Sequence, residues 1–434
     1  MISAFSISFL GGLLSLLLHR SFYLKPFTIF TLLLAYSSVS EPIGLIGFEV
    51  NGYNTLFGKI LIIVLIAIIL YSKSDISKTQ TLFLLSGSIA LIQSHSLLAF
   101  VISFETVALI SLILISDIRE PSQAEGAVKM FIAGAVASGI IMFGVFIFTI
   151  SGAELLGAVE VRSGLFGWGG VVLILLGVFY KLTIFPMHSW AVDTYSLIRS
   201  EYASILSGVV KSVVAIGTFG VFKSAILGHL ELISPILITL SIITMTLGNF
   251  MALWQKNISK ILAWSSIAQA GYMLVAFVSV KSRFADNGIL YMAIAYIFMQ
   301  SGAFLILGYL KESYNIKTLQ DIKGLATYDR FSGLFFTIYL FSLAGTPLLS
   351  GFLGKATLFY SGVDASLWWL ILIALLNSAL SVGYYAWIVK HIYFDEAPID
   401  RRGVVMSKSI TVGQIVLVGG VFYFGIFADK ILTI

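Results

Sequence analysis

Residues Trp168–Lys211 read WGGVVLILLGVFYKLTIFPMHSWAVDTYSLIRSEYASILSGVVK. An apolar run carries one cation, Lys181, near its end, and Pro186 follows five residues later. A polar loop then holds His188, Trp190, Asp193 and Tyr195, and a second apolar run places Lys211 about ten residues in. A charge near the centre of a bilayer costs ~2.5–3.5 kcal/mol on insertion scales, so such a side chain should face protein or water rather than lipid. Two lysines around a proline break therefore predict an ion path through a membrane bundle.

The rest of the chain fits that setting. Of 434 residues, 59% are hydrophobic and 11% charged, against about 25% charged in a soluble domain. Apolar runs of membrane-spanning length recur from end to end, which excludes a soluble protein with an oversized core. The net charge of +5 is spread over loops, without the dense basic cluster of a nucleic-acid face. The absence of cysteine excludes disulfides, thiolate-held iron–sulfur clusters and thiol catalysis. His19, His95, His188, His229 and His391 are too scattered to suggest a metal or haem, and no phosphate-binding glycine motif follows a strand pattern. The first residues, MISAFSISFLGGLLSLLL, lack the basic start of a secretory signal and are expected to be a retained span with an external N-terminus.

At ~20 apolar residues per span, the pattern predicts an all-α polytopic protein of about fourteen transmembrane helices. Their expected ranges are 2–18, 26–40, 57–71, 81–95, 97–116, 128–150, 168–186, 201–226, 232–253, 258–279, 286–310, 331–362, 366–392 and 408–428, the second and third being short. The fourth and fifth, parted only at His95-Ser96, should form a tight hairpin. With this count one side gathers Arg20, Lys25, Lys73, Lys78, Arg119, Arg199, Lys256, Lys311, Lys317, Lys323, Arg330, Lys390, Arg401, Arg402 and Lys408. The other keeps only Lys59, Arg162, Lys223, Lys281, Arg283 and Lys430. Cytoplasmic loops are enriched in lysine and arginine, so the rich side is expected to be cytoplasmic and both termini external.

The run 331–362 is too long for one straight crossing and contains Gly345-Thr346-Pro347, Gly351 and Gly354, then Lys355. Proline removes a backbone donor and clashes with the preceding turn, so this helix should be broken; broken helices are tolerated at membrane depth where the freed backbone lines a cavity or is buried in protein. Lys181 near Pro186 and Lys355 near Pro347 thus look like the same device in oppositely directed spans five helices apart. That predicts two inverted five-helix repeats, helices 4–8 and 9–13, with helices 7 and 12 broken. The expected organisation is one membrane domain over 1–434: an N-terminal three-helix segment (1–80), a first repeat (81–226), a second repeat (232–392) and a C-terminal helix (408–428).

Glu105, in the middle of SLLAFVISFETVALISLIL, is the one deep acid set against Lys181, Lys211 and Lys355. One carboxylate cannot neutralise three cations, so some amines must be neutral much of the time or solvated by internal water. A Glu–Lys contact at ~4 Å is worth about 4 kcal/mol at an effective dielectric of 20. Moving a proton against ~150 mV costs roughly 3.5 kcal/mol, so opening and closing a Glu105–Lys181 pair could load or release one. The alternative is a purely structural interhelical ion pair. Lys260 and Lys129 lie nearer helix ends and either join the path or snorkel to the interface. His188 is either a pH-sensitive group or a loop fastener beside Trp190; Tyr384-Tyr385 and Trp368-Trp369 are expected to serve packing and interface, and the small residues of GSIALIQSHS and AGAVASG close helix packing.

The acid in FETVAL, AEGAVKMFIAGAVASG, FYKLTIFPMHSWAVDTY, GNFMALWQKNISKILAWSSIAQAGYM and LAGTPLLSGFLGKATLFY together resemble subunit N of respiratory complex I, one of the antiporter-like membrane subunits of NADH–quinone oxidoreductase. The resemblance covers roughly Leu97 to Lys390. It implies that Glu105 is the acid of the fifth helix, Lys181 its partner in the broken seventh, Lys211 the central lysine of the eighth and Lys355 the terminal proton-transfer group of the broken twelfth. Sister subunits and the similar Mrp cation/proton antiporters commonly carry glutamate at this last position, so a lysine there, with the short Asp193-Thr194-Tyr195 ending, favours the subunit N family. Two positions depart from the pattern: Val192 where proline is frequent, and Gln269 where related subunits have histidine. The second leaves any relay through the tenth helix to water or Lys260.

What the resemblance implies is a proton-translocating subunit of a translocase, with no redox chemistry in this chain and no cofactor bound by it. NAD(H) or another donor, FMN, iron–sulfur clusters and quinone would belong to partner subunits; the expected neighbours are antiporter-like subunit M, the small subunits K and J, and the lipid of a bacterial inner (plasma) membrane, with no nucleic acid. The rivals are a subunit of an Mrp-type antiporter and a structural, non-conducting membrane subunit.

Overall fold

The computed structural model describes residues 3–18, 23–72, 75–116, 120–152, 154–156, 165–398 and 401–427. His19, Arg20, Lys73, Arg119, Arg162 and Lys430 lie outside the described residues. The helices in chain order are α1 (Ala4–Leu17), α2 (Leu24–Ser37), α3 (Gly52–Tyr71), α4 (Asp75–Gln93), α5 (Leu97–Ile115), α6 (Pro121–Ile150), α7 (Leu165–Leu182), α8 (Ser189–Leu197) and α9 (Ser200–Ser204). One π-helical turn (Ile205–Val210) leads into α10 (Lys211–Gly228), followed by α11 (Leu230–Leu253), α12 (Ile258–Val278), α13 (Ala285–Tyr314), α14 (Leu325–Tyr328), α15 (Arg330–Ala344), α16 (Ser350–Asp364), α17 (Trp368–Tyr393) and α18 (Lys408–Ile426). Among the described residues the only β pairing is two isolated bridges. Nine helices among them are long and apolar enough to cross a membrane, and α1, α2, α7 and α15 are shorter apolar helices.

Most predicted spans recur with small shifts, and the shifts have local causes. The third helix is not short: Asn51 caps it by accepting from Asn54 N, so it starts in the polar residues Tyr53-Asn54 that an apolar window omits. The sixth starts at Pro121, whose ring pre-sets the first helical turn and whose missing N–H is no loss there. Between α4 and α5 the chain turns at Ser94–Ser96, with His95 N donating to Gly47 O at 2.7 Å.

Helices α10, α12 and α13 form the interior of the bundle, with nearly every residue of their spans buried. Helix α6 is peripheral: Phe131, Ile132, Phe143 and Phe146 are exposed. Close approach rests on glycine at a few contacts. A Cβ at Gly271 would meet Met245 N at 2.5 Å, and one at Gly248 would meet Ala268 N at 2.6 Å, so α11 and α12 touch backbone to backbone. In AGAVASG the role is divided: Gly134 packs under Tyr180, while Gly139 meets nothing.

Both predicted breaks are present. Helix α7 stops at Leu182, and Thr183 takes φ 59°; the chain then passes Pro186 and resumes as α8, so 168–186 is not one continuous helix. Helix α15 stops at Ala344, where Gly345 has φ 94°, a left-handed conformation that glycine adopts without a Cβ penalty. Pro347 follows and α16 resumes at Ser350.

Candidate functional site

The last turn of α7 carries Lys181, which is buried, and its Nζ has no hydrogen-bond partner. It lies 5.3 Å from the centre of the Tyr180 ring. Glu105 on α5 is within electrostatic range of it, but no ion pair within 4.0 Å joins the two, and Glu105 Oε1 is buried without a hydrogen-bond partner. The predicted Glu105–Lys181 contact is therefore open in this conformation. Glu105 borders a cavity of about 100 Å³ between α5 and α6, lined also by Met130, Gly134, Ser138 and Tyr180. The Tyr180 hydroxyl on its wall is already bonded to Met130 O at 2.7 Å, so the Glu105 carboxylate is the group there with an open hydrogen-bonding position.

Lys211 follows the π-helical turn directly and is fully buried; such turns widen a helix locally and recur at functional sites. Its ammonium donates to Thr183 Oγ1 at 2.7 Å, in the α7 break, and to Ser266 O at 2.9 Å and Ser266 Oγ on α12. The three donors of the amine are thus matched by three neutral oxygens. Tyr296 on α13 donates to the same Ser266 Oγ at 2.8 Å.

Lys355, on the second half of the other broken helix, is placed by the break itself. Helix α15 leaves its last carbonyls without intrahelical partners, and Lys355 Nζ donates to Leu343 O at 2.9 Å and Ala344 O at 3.2 Å, with Ser378 Oγ on α17 at 3.0 Å. The negative end of the α15 dipole adds to this cation site. Gln269 Nε2 donates to Leu343 O as well, at 3.1 Å, so Gln269 stands on the same carbonyl as Lys355.

Helix α12 links the two lysines. Ser265, Ser266, Gln269 and Tyr272 are all buried and recur at the three- and four-residue spacing of one helix face. Ser266 holds Lys211, Gln269 shares the carbonyl of Lys355, and the Tyr272 ring centre lies 5.1 Å from Lys355 Nζ. Beside them Asn249 Nδ2 donates to Tyr272 Oη (3.0 Å) and Asn377 Oδ1 (3.3 Å), and Tyr384 Oη donates to Asn249 Oδ1 (3.0 Å). Tyr384 is therefore a network member, not simply a packing residue. Motif reading missed Thr183, Asn249, Ser266, Tyr272, Tyr296 and Asn377. The polar spacing along WSSIAQAGY was the available signal.

Lys260 and Lys129 do more than snorkel. Asp193 on α8 lies 2.9 Å from Lys129 and 3.9 Å from Lys260, and Glu125 lies 2.8 Å from Lys129. This half-exposed cluster ties α6, α8 and α12 together, apart from the buried lysines. His188 packs between the rings of Phe185 and Trp264; the fastener of the break loop is Trp190, whose Nε1 donates to Tyr180 O at 3.2 Å. Trp368 and Trp369 are on the surface, as expected of interface residues. Among the described residues no group of three His, Asp or Glu side chains is arranged to hold a metal ion.

The family described as NADH:quinone oxidoreductase/Mrp antiporter, TM, matches residues 94–381. The chain belongs to this family. Subunit N of the F(420)H(2) dehydrogenase of Methanosarcina mazei is 30% identical over 402 residues, covering 88% of this chain and 81% of that protein. Subunit N 1 of the NADH-quinone oxidoreductase of Thermodesulfovibrio yellowstonii is 30% identical over 403 residues, covering 88% and 85%. A chain of respiratory complex I from Thermus thermophilus shares the fold, with TM-score 0.85 at 23% identity, over 99% of this chain and 98% of that one. The NADH:quinone oxidoreductase/Mrp antiporter match spans Glu105, Lys181, Lys211, Lys260 and Lys355, and the chain is a multi-pass membrane protein of all-helical fold.

Proposed function

We propose that this chain is the antiporter-like, proton-translocating membrane subunit N of a complex I-type quinone oxidoreductase, and that Glu105, Lys181, Lys211 and Lys355 carry the proton. The carrying observation is that Lys211 and Lys355 are each buried on neutral oxygens at a helix break, joined by one polar face of α12. A neutral host can receive and release H+ without separating a strong ion pair. A lysine locked against a carboxylate would have to break several kcal/mol of attraction first. Lys260 belongs to a half-exposed ion cluster, where it would collect protons at the mouth of the path rather than in its interior.

In this reading there are fourteen spans. They are the nine long helices, α1, α2 and α4, and the broken pairs α7/α8 and α15/α16. The matching breaks support an inverted repeat of helices 4–8 and 9–13 within one membrane domain. Grouped loop contacts support the orientation. Lys256, Lys317, Asp321 and Arg401 meet at one end of the bundle, Lys223 and Asp286 at the other. The lysine-rich end is cytoplasmic and both termini are outside. The chain binds no cofactor of its own. Donor oxidation and quinone reduction belong to partner subunits, among them an antiporter-like subunit M and small subunits K and J, in a bacterial inner membrane. The relatives are subunits N of an F(420)H(2) dehydrogenase and of an NADH-quinone oxidoreductase by name, which favours this reading over a free Mrp-type antiporter.

Lys211→Met keeps the side-chain volume and removes the amine. In the assembled complex it is expected to lower protons moved per quinone reduced at least fivefold while the complex still assembles. An unchanged ratio refutes the relay. Lost assembly with a normal ratio in the residual complex favours a structural role.

A further inference from the structure

A cavity of about 460 Å³ lies where α11 turns into α12, between that turn and the last turns of α17. One end of it is a braced ledge. Leu319 N donates to Lys256 O and Ile258 N to Lys317 O, both at 3.0 Å, so the turn and residues 317–319 hold each other. Gln255, Lys256 and Gln320 line the cavity at this ledge. Lys390, with Nζ 5.8 Å from the centre of the Trp387 ring, stands beside it. Among the described residues no carboxylate lines the cavity, and the nearest acid in the ledge, Asp321, already accepts from Lys317 N, Thr318 N and Thr318 Oγ1. The other end is apolar and open. Leu253, Trp254 and Trp387 are exposed there, and exposed indoles mark the headgroup level of a bilayer. Below Trp387 the exposed positions of α17 recur as Gly383, Leu380 and Leu376, on one helix face. A Cβ at Gly383 would meet only Leu253, at 3.4 Å, so the glycine leaves a cleft between α17 and α11 that a larger side chain would close. Leu376 to Trp387 spans roughly 16 Å of helix, the depth of one leaflet of a hydrocarbon core about 30 Å thick.

We infer that this is a binding site for one anionic phospholipid of the leaflet on the lysine-rich side. Its phosphate is held between Lys256 and Lys390 with the amides of Gln255 and Gln320, and one acyl chain runs through the Gly383 cleft toward Leu376. Basic pockets between helices on the cytoplasmic side suit such headgroups. The charge is complementary, because cations and amide donors meet the phosphate with no acid opposing it. The shape is complementary as well: α11 and α17 approach so closely beside Gly383 that the cleft takes a single methylene chain and not a helix about 10 Å across. Seated there, the chain covers the wall of the cavity to which Tyr384 belongs. The inference does not depend on which residues carry the proton.

The test uses the assembled complex in phosphatidylcholine vesicles containing a trace of phosphatidylglycerol with a photoreactive diazirine on one acyl chain. Irradiation is expected to attach the probe to the peptides that carry Leu253 and Gly383, read as added mass on this chain. Excess unlabelled phosphatidylglycerol should suppress these adducts, and inorganic phosphate should not. Lys256→Gln and Lys390→Gln should each lower the yield about fivefold, the worth of one lysine beside an anionic headgroup. Gly383→Phe should abolish it by filling the cleft, while adducts on the exposed Phe131 and Phe146 of α6 stay unchanged in all three variants. Should Gly383→Phe fail to assemble, the two lysine variants decide, since both side chains are exposed. Adducts no more frequent here than on α6, or a yield that both lysine variants leave unchanged, overturn the site. Displacement by inorganic phosphate makes it a free-anion site, and absence of any adduct gives the cleft to a partner protein; either result also overturns it.

Discussion

Leu343 O accepts from two side chains, Gln269 and Lys355. An amide cannot take a proton as an imidazole can, but it can hold a carbonyl in place for the amine beside it. Gln269→Leu leaves Lys355 its bonds to Leu343, Ala344 and Ser378 and removes only the competing donor. Loss of a buried hydrogen bond of this kind costs about 0.5–1.5 kcal/mol. The expected result is normal assembly with coupled proton translocation reduced two- to fivefold, measured as proton uptake per quinone reduced. If Gln269 merely fills space, the ratio stays at wild type. Lys181 differs from the other two lysines in having no hydrogen-bond partner; its ammonium lies over the Tyr180 ring, within electrostatic range of Glu105.

Helix α12 does two jobs on two faces. One face carries Ser265, Ser266, Gln269 and Tyr272 to the lysines; another meets α11 at backbone distance through Gly248 and Gly271. The helix can present its polar residues in the interior because the rest of its surface is closed by protein. Gly271→Ala puts a Cβ 2.5 Å from Met245 N, and backbone cannot yield as a side-chain tip can. Overpacking of this kind costs about 1–3 kcal/mol. The variant should lower the thermal midpoint of the detergent-solubilised complex and the yield of assembled complex. Gly220→Ala on α10, where an added Cβ meets nothing within 4 Å, should leave both unchanged. Equal behaviour of the two variants would remove α11–α12 contact as the reason for glycine at 271.

In the proposed relay the ionisable groups act in sequence: Glu105 at the α5–α6 cavity, Lys181 at the end of α7, Lys211 between the α7 break and α12, and Lys355 at the end of α15. Steps in series limit one another. Lys211→Met and Lys355→Met combined should therefore reduce coupled translocation no further than the more severe single variant. Their effects on thermal stability, arising at sites with no shared hydrogen-bond partner, should add within about 0.5 kcal/mol. Multiplying losses in translocation would place the two lysines on independent routes and defeat a single relay. The fold itself was legible along the chain because a bilayer admits few solutions: helices satisfy their own backbone, so each apolar run had to be one, and each proline-glycine interruption beside a deep lysine had to be a break.

Charge in an apolar run cannot be disguised by folding, so the two breaks and the presence of Glu105, Lys181, Lys211 and Lys355 within apolar helices were legible in the sequence. Their partners were not. Lys211 bonds to Thr183 and Ser266, 28 and 55 residues away, and Lys355 to carbonyls that exist as free acceptors only because α15 ends there. Which lysine meets a hydroxyl, which a helix end and which nothing depends on how α7, α12 and α15 cross. Those crossings are decided by side-chain and backbone packing among distant segments, and only the tertiary structure contains them.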